Sequence, residues 1–203
     1  MHFIFITRSY KPTNLKTVFK SIRDVFDGSE HTFKQLLFAD LTRGAHKRDF
    51  VEFVDDRTEL YFVSRKQNND KHLDIAMDTV LRQIKEPDDS WVFFVDDDNI
   101  LHPDFLQVCQ YIKGDEDAVV FKSDGEAVRT FGTEKALDGN AVGNIDWSNF
   151  IAQLRMFKRN PIYHGGNTSH CEDSIFFNKI AADNCRFRFV DKTLAYYNKL
   201  PKP

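Results

Sequence analysis

Short apolar runs alternate with amphipathic segments along this chain. Runs rich in Val, Ile and Phe predict buried strands over residues 2–7, 33–38, 59–63, 91–95 and 187–190. Apolar residues at helical spacing predict helices over residues 15–26 and 73–84. Because strands that alternate with helices are typical of α/β proteins, we expect a mostly parallel central sheet with helices on both faces.

The pattern is less decisive in the second half of the chain. Ser169 and Glu172 have capping-box spacing, which predicts a helix from Cys171 through the apolar run 175–182. The tripeptide His-Pro-Asp at 102–104 predicts another helix start. Residues 145–157 fit a strand or a helix, and residues 123–144, with several glycines, predict a long irregular loop.

Bulk composition narrows the class of protein. A chain of 203 residues fits one domain spanning residues 1–203, and a net charge of −3 with no basic stripe argues against a nucleic-acid partner. Three cysteines without metal-ligand spacing predict reduced thiols in a cytoplasmic protein. The apolar start at residues 1–6 is too short for a signal-peptide core, and no run approaches the roughly 20 residues of a membrane helix. We therefore do not expect an integral membrane protein.

Three consecutive acids follow the most apolar predicted strand. Asp96, Asp97 and Asp98 come directly after residues 91–95. Neighbouring carboxylates repel one another and are costly to bury, so they need either a cation or a solvated rim. Ligands of open α/β sheets bind at the carboxyl ends of strands, where hard oxygen ligands suit a divalent metal. A metal site and a solvated turn both remain open at this point.

Several motifs occur in an order that resembles a known family. The chain has Thr-Arg-Ser-Tyr at 7–10, Phe-Val-Asp-Asp-Asp-Asn-Ile at 94–100 and His-Pro-Asp-Phe at 102–105. Cys-Glu-Asp-Ser-Ile-Phe-Phe at 171–177 and Phe-Val-Asp-Lys-Thr-Leu-Ala-Tyr-Tyr-Asn at 189–198 follow. Together they resemble a family 2-type glycosyltransferase with the GT-A fold, the fold of nucleotide-diphospho-sugar transferases.

The resemblance implies a nucleotide-sugar donor, with a UDP-sugar as the first expectation, and Mn²⁺ or Mg²⁺ bridging its diphosphate. Asp98 would be the metal-ligating acid, and Asp97 and His170 are further candidate ligands. Asp96 and Asp97 would lie nearer the ribose or the second coordination shell of the metal. The nucleoside pocket would be lined by four residues from the first two strands and their loops: Thr7, Arg8, Tyr10 and Asp40.

The resemblance also implies that the Glu172-Asp173 pair holds the catalytic base, which Asp173 matches. An acceptor hydroxyl must lose its proton as it attacks the anomeric carbon, so a carboxylate within hydrogen-bond reach is needed. In-line attack would invert the anomeric configuration. In the first turn of a helix the macrodipole favours the ionised form of Asp173, which suits a base.

Each of these residues also has a purely structural interpretation. Glu172 and Asp173 fit the role of favourable charges in a first helical turn, and Thr7 and Arg8 fit a strand terminus. Trp147 fits either a side chain that stacks on an acceptor sugar or one that packs in the core. His164 and His170 fit ligands of a metal or phosphate, or solvated side chains.

The resemblance has departures. The Gln-x-x-Arg-Trp element of processive synthases is absent, since Arg155 lies two residues after Gln153 and Met156 follows it. We therefore expect one non-processive transfer, to a glycan, lipid-linked or small-molecule acceptor. The chain is short for the family, so the acceptor is small or a partner completes the site.

Other functions compete with glycosyl transfer. A nucleotidyltransferase or nucleotide-sugar hydrolase could use a similar metal–diphosphate site, although the loop at 8–11 lacks the glycines expected of the former. A receiver-type signalling domain would need an acidic pair after the first strand. A nucleotide-sugar-binding module without catalysis is the last alternative.

Overall fold

The computed structural model describes residues 1–64, 72–125, 145–162, 172–197 and 199–200. Its sheet has the strand order β3-β2-β1-β4-β7-β6-β8-β5. Within the described chain, all strands run in the same direction except β7 and β5, which confirms the mostly parallel sheet. The strands are β1 (His2–Ser9), β2 (Thr32–Asp40), β3 (Thr58–Val63), β4 (Trp91–Phe94), β5 (Ile100–Leu101), β6 (Ala118–Gly125), β7 (Phe150–Gln153) and β8 (Phe187–Tyr197).

Helices cover both faces of the sheet, as the alternating pattern predicts. They are α1 (Leu15–Phe26), α2 (Arg48–Val51), α3 (His72–Gln83), α4 (Leu154–Arg159) and α5 (Glu172–Ala182). Successive side chains of a strand point to opposite faces. Phe3 and Phe5 therefore pack on the side of α1, and Ile4 and Ile6 on the side of α3, α4 and α5. Since both faces are covered, β1 reads as a continuous apolar run.

Three predicted boundaries differ from the structure. Residues 145–157 are neither one strand nor one helix, because a 3₁₀ turn (Trp147–Asn149), β7 and α4 follow one another. The helix expected from His102 begins later, as a 3₁₀ helix at Phe105–Tyr111. There the His102 ring Nδ1 accepts the Asp104 N–H at 3.0 Å, which holds Asp104 outside the helix.

Strand β8 is the third difference, since it continues well beyond residue 190. Exposed Asp191 and Lys192 interrupt its apolar pattern, which hid the continuation from the sequence. Register shifts beside Lys122 in the pairing of β6 with β8 accommodate this irregular stretch. Such bulges let a strand continue past residues that do not fit the pleat.

Two further expectations concern the whole chain. Among the described residues, no helix has the length and apolarity needed to cross a membrane. Cys109 and Cys185 are free, partly buried thiols. Burial raises the pKa of Cys109 to about 11, so its thiol stays protonated at neutral pH.

Candidate active site

The carboxyl ends of β1 and β4 meet in register. Ile6 lies opposite Phe94 in this parallel pair. Beyond the last paired residues, the Val95 N–H donates to the Ile6 carbonyl at 2.9 Å, and the Asp97 N–H donates to the Arg8 carbonyl at 3.2 Å. Backbone pairing therefore sets Arg8 beside the start of the acidic triplet.

Arg8 and Asp96 form a two-point ion pair at this edge. Arg8 Nε donates to Asp96 Oδ1 at 2.6 Å, and Arg8 Nη2 donates to Asp96 Oδ2. Each side chain is 23% exposed, so water screens the pair only partly. Burial lowers the pKa of Arg8, but the charge and hydrogen bonds of Asp96, together with the charges of Asp74 and Asp146, leave that pKa raised. Arg8 is thus a cation that faces several carboxylates.

Asp97 is turned inward and fixes the loop that follows β1. It is 5% exposed, and its Oδ2 accepts the Tyr10 N–H at 3.1 Å. Burial raises the pKa of Asp97, and this effect outweighs the hydrogen bonds from Ser9, Tyr10 and Lys11. The structure therefore uses Asp97 to hold Tyr10 at the edge of the sheet, and its binding of ribose or metal stays a prediction.

Thr7 and Asp40 also have protein partners. Thr7 is fully buried, and its Oγ1 accepts the Gln35 amide N–H at 3.0 Å. Asp40 is 2% exposed; its Oδ1 accepts the Thr42 N–H at 2.8 Å, and its Oδ2 lies 3.2 Å from His72 Nε2. Both residues lie where β1 and β2 end, but their contact with a nucleoside stays a prediction.

An aromatic stack joins β4 to α5. The Trp147 ring centroid lies 4.3 Å from that of Phe94 and 5.4 Å from that of Phe176. Arg8 Cζ lies 5.9 Å from the centroid of the Phe94 ring. Trp147 is 5% exposed, so it is a core residue rather than a surface for an acceptor sugar.

Asp146 precedes Trp147 and caps the 3₁₀ turn. Its Oδ1 accepts the Ser148 N–H at 2.8 Å, and its own N–H donates to Asn149 Oδ1 at 3.2 Å, which completes a capping box. Burial raises the pKa of Asp146; the charge of Asp96 adds to this effect and that of Arg8 opposes it. Asp146 therefore belongs to the same charge cluster as the Arg8–Asp96 pair.

Asp173 lies in the first turn of α5, where its Oδ1 accepts the Ser174 N–H at 2.6 Å. Burial raises the pKa of Asp173 to about 7, and repulsion from Asp146 acts in the same direction. Ser174 and Arg8 lower it by less. The expectation that the helix dipole keeps Asp173 ionised is wrong, because desolvation and a like charge outweigh the first-turn effect.

Comparison with known proteins identifies the fold. No protein-family model matches this chain, and no curated protein matches it either. The structure of S. aureus TarS 1–349 in complex with UDP-GlcNAc matches with a TM-score of 0.69 and 19% identity, covering 100% of this chain and 60% of that one. The complex of TarS 1–349 with UDP matches with a TM-score of 0.69 and 20% identity, covering 97% and 60%.

A second kind of enzyme has the same architecture. The 4-diphosphocytidyl-2C-methyl-D-erythritol synthase of Anaerococcus prevotii DSM 20548 matches with a TM-score of 0.54 and 11% identity, covering 98% of this chain and 89% of that one. The chain has a GT-A-like fold. It spans about 60% of the length of the TarS fragment, and identities this low concern the fold alone.

The acids at the edge of the GT-A-like sheet have different surroundings. Asp96 is bonded to Arg8 and Asp97 to the Tyr10 N–H. Asp98 is partly exposed, and its carbonyl accepts the Leu200 N–H at 3.0 Å. Within the described residues, no group of three or more His, Cys, Asp or Glu side chains could hold a metal by itself. Mg²⁺ bound with a diphosphate needs only one or two protein carboxylates, so Asp98 fits such a role.

Sequence reasoning missed two acids of this cluster. Asp146 has Asn149 three residues later, the spacing of a reciprocal cap, but residues 145–157 gave no clear element type. Asp74 lies in the first turn of α3, where an acid is ordinary. Only the fold brings both near Arg8.

Some predicted features lie outside the described residues. They are His164, His170, Cys171, the Ser169 end of the capping box and residues 126–144 of the loop expected at 123–144. Residues 123–125 are the end of strand β6, so that part of the loop prediction is wrong. Glu172 is partly buried at the start of α5, and its catalytic role stays a prediction.

Proposed function

We propose that this chain is a metal-dependent, inverting glycosyltransferase that moves one sugar from a UDP-sugar to an acceptor hydroxyl. One observation carries the proposal. Asp173 of α5 lies close enough to Arg8 at the end of β1 for their charges to interact, and burial with a neighbouring acid brings its pKa to about 7. A carboxylate with a pKa near the operating pH is an efficient general base.

The position of this cluster supports a nucleotide-sugar donor. It lies at the carboxyl ends of β1 and β4, where open α/β sheets bind their ligands. TarS 1–349, which has the same fold, is described in complex with UDP-GlcNAc and with UDP. We therefore place UDP-sugars first among donors, with a glycan, a lipid-linked molecule or a small molecule as the acceptor.

The proposal assigns a residue to each step. Tyr10, held by Asp97, lies at the edge where the nucleoside would bind. Asp173 would take the proton of the acceptor hydroxyl as its oxygen bonds to the anomeric carbon and the bond from that carbon to the diphosphate breaks. Mn²⁺ or Mg²⁺ held by Asp98 would supply Lewis-acid stabilisation of the departing diphosphate.

Thermal-shift measurements test donor and metal together. We expect UDP and UDP-GlcNAc to raise the melting temperature in Mn²⁺ and to do so much less in EDTA. A ligand at about 100 times its dissociation constant stabilises a fold by about 2.7 kcal/mol. Asp98→Asn should remove the metal-dependent part of the shift.

Asp89→Asn is the matched control. Asp89 is an exposed acid just before β4, at the opposite end of that strand from Asp98. Its substitution should leave unchanged the melting-temperature shifts caused by UDP and by UDP-GlcNAc. Equal UDP affinity in EDTA and in Mn²⁺ would contradict the metal assignment, and no shift with any nucleotide or nucleotide sugar would contradict the donor assignment.

A nucleotidyltransferase is the second candidate, because the cytidylyl-type synthase shares the fold over most of its length. Against it, the segment Arg8-Ser9-Tyr10-Lys11 contains no glycine with which to cradle a triphosphate. The products separate the two activities. Release of pyrophosphate from CTP or UTP would indicate nucleotidyl transfer, and release of UDP from a UDP-sugar would indicate glycosyl transfer.

A further inference from the structure

The segment that carries Asp146 lies between the two halves of the site. Trp147, the next residue, contacts Phe94, which is two residues before Asp96. It also contacts Phe176 of α5. Phe176 is three residues after Asp173, so the two lie on the same side of the helix. One buried indole thus fixes the distance between the Arg8–Asp96 pair and the start of α5.

The backbone around Asp146 leaves its carboxylate little freedom. The capping box uses Oδ1 for the Ser148 N–H at 2.8 Å and the Asp146 N–H for Asn149 Oδ1 at 3.2 Å. Ser148 and Asn149 are themselves buried, with at most 1% exposure. The turn therefore holds the carboxylate of Asp146 in one orientation.

Charged groups from several elements face the start of α5. Asp146 acts on Asp173 from the 3₁₀ turn and Arg8 acts on it from β1, with opposite signs. Asp96, after β4, is bonded to Arg8 and also acts on Asp146. Asp74, in the first turn of α3, acts on Arg8. Asp146 is the acid of this set whose charge repels the carboxylate of Asp173.

We propose that Asp146 is a positioning residue whose fixed carboxylate tunes Asp173 for accepting a proton. Asp146 need not touch the substrate. Burial is the first cost of ionising Asp173, the charge of Asp146 adds to it, and Arg8 partly offsets it. A carboxylate held in this way takes up a proton from an acceptor hydroxyl more readily than an ordinary surface aspartate. The role in catalysis rests on the proposed transferase function, whereas the coupling between the two acids does not.

Carboxyl-carbon NMR titration of the free protein tests the coupling directly. In Asp146→Asn, the midpoint of Asp173 should fall by about one pKa unit, the size expected for loss of one like charge nearby. Asn is a good helix cap, so the turn should keep its hydrogen bonds. Asp146→Ser, another good cap, gives a second variant should the amide distort the turn. An unchanged midpoint in a folded variant would overturn the proposal.

Asp74→Asn is the matched control, because Asp74 acts on Arg8, whereas the main causes of the raised pKa of Asp173 are burial and Asp146. It should leave the midpoint of Asp173 in place. Once a donor and acceptor are known, the rising limb of the kcat/KM profile should move to lower pH in Asp146→Asn by the same amount as the NMR midpoint. If kcat/KM falls in Asp146→Asn but its pH dependence does not shift, the role of Asp146 is only structural. If no transfer is found, the proposed function fails, and the titration still decides whether the two acids are coupled.

Discussion

Substituting Asp173 by Asn separates a desolvated carboxylate from a favourable first-turn charge, because the two predict opposite changes in stability at pH 8. Asn keeps the shape of the side chain and an oxygen that can accept the Ser174 N–H, which now bonds Oδ1 at 2.6 Å. Only the ability to ionise is lost. The variant therefore isolates the free energy of holding a negative charge at this position.

The magnitude follows from the pKa of about 7 for Asp173, against about 3.9 for an unfolded aspartate. Because the folded pKa is the higher one, the folded state binds more protons between these two values. Stability is therefore complete below about pH 4 and falls as pH rises through 7. Three pKa units correspond to about 4 kcal/mol. Since Asp173 is partly exposed, we expect about 1–4 kcal/mol to be lost in the wild type by pH 8.

Urea unfolding of wild type and Asp173→Asn at pH 4 and pH 8 measures this difference. The two proteins should be equally stable at pH 4, where Asp173 is protonated, and the variant should be more stable at pH 8. Glu172→Gln is the matched control in the same helical turn. It should show no such gain at pH 8. With substrates in hand, Asp173→Asn should slow transfer by about 10²–10⁴-fold with donor affinity nearly unchanged.

A first-turn charge that only favours the helix dipole would behave differently. Its removal would cost about 0.3–1 kcal/mol at pH 8. A variant less stable than wild type at pH 8 would therefore refute the desolvation argument. If the variant is more stable at pH 8 but turns over normally, the raised pKa of Asp173 is supported and its assignment as the base is contradicted.

Other substitutions probe the supports of the site. Arg8→Gln should cost about 1–3 kcal/mol by urea unfolding, since it leaves Asp96 without its two-point donor; no loss would show that the pair is mostly solvated. Trp147→Ala should cost about 3–5 kcal/mol because it empties the stack, and a smaller loss would mean that the stack collapses easily. Asp117→Asn should cost about 2 kcal/mol at pH 7, where Asp117 bonds Arg155 and Arg186. Hydrogen bonds and the charged partners Arg155 and Arg186 hold the pKa of Asp117 low despite burial. The stability difference between wild type and Asp117→Asn should therefore vanish as pH falls below that pKa. A difference that persists at low pH would show that the hydrogen bonds do not depend on the charge of Asp117.

Strands β1, β2, β3 and β4 could be predicted from the sequence because their signals are local and agree with one another, whereas β5 and β6 were not predicted. β1, β2 and β4 contain apolar runs. The loops and helices beside them have a different spacing of apolar residues, which marks where each strand ends. The prediction failed where one segment changes type within a few residues, as between Trp147 and α4. It also failed where charged residues continue a strand, as at Asp191 in β8. In both places long-range pairing, which periodicity does not record, decides the structure.

The site could be predicted only in part, because its chemistry depends on distances between remote segments. The acidic triplet and the Glu172-Asp173 pair stand out in the sequence, and the fold brings Asp173 near Arg8. The sequence could not show that Arg8 would be bonded to Asp96, or that Asp97 would face inward to the Tyr10 N–H. Asp146 is a plain acid in an ambiguous segment until Trp147 packs between Phe94 and Phe176.

The charge arrangement bears on how a diphosphate would bind at this edge. Arg8 is a cation bonded to the acidic triplet, and Asp96 already accepts hydrogen bonds from two of its nitrogens. A diphosphate brought beside Asp98 would meet the other acids of the triplet and an arginine that is largely neutralised by Asp96. It must therefore either separate Arg8 from Asp96, giving up hydrogen bonds to a charged group worth about 1.5–3 kcal/mol each, or arrive with a cation of its own. A divalent metal shared with Asp98 provides the second route and leaves the Arg8–Asp96 pair intact, so the ion pair and the proposed metal dependence have the same physical origin.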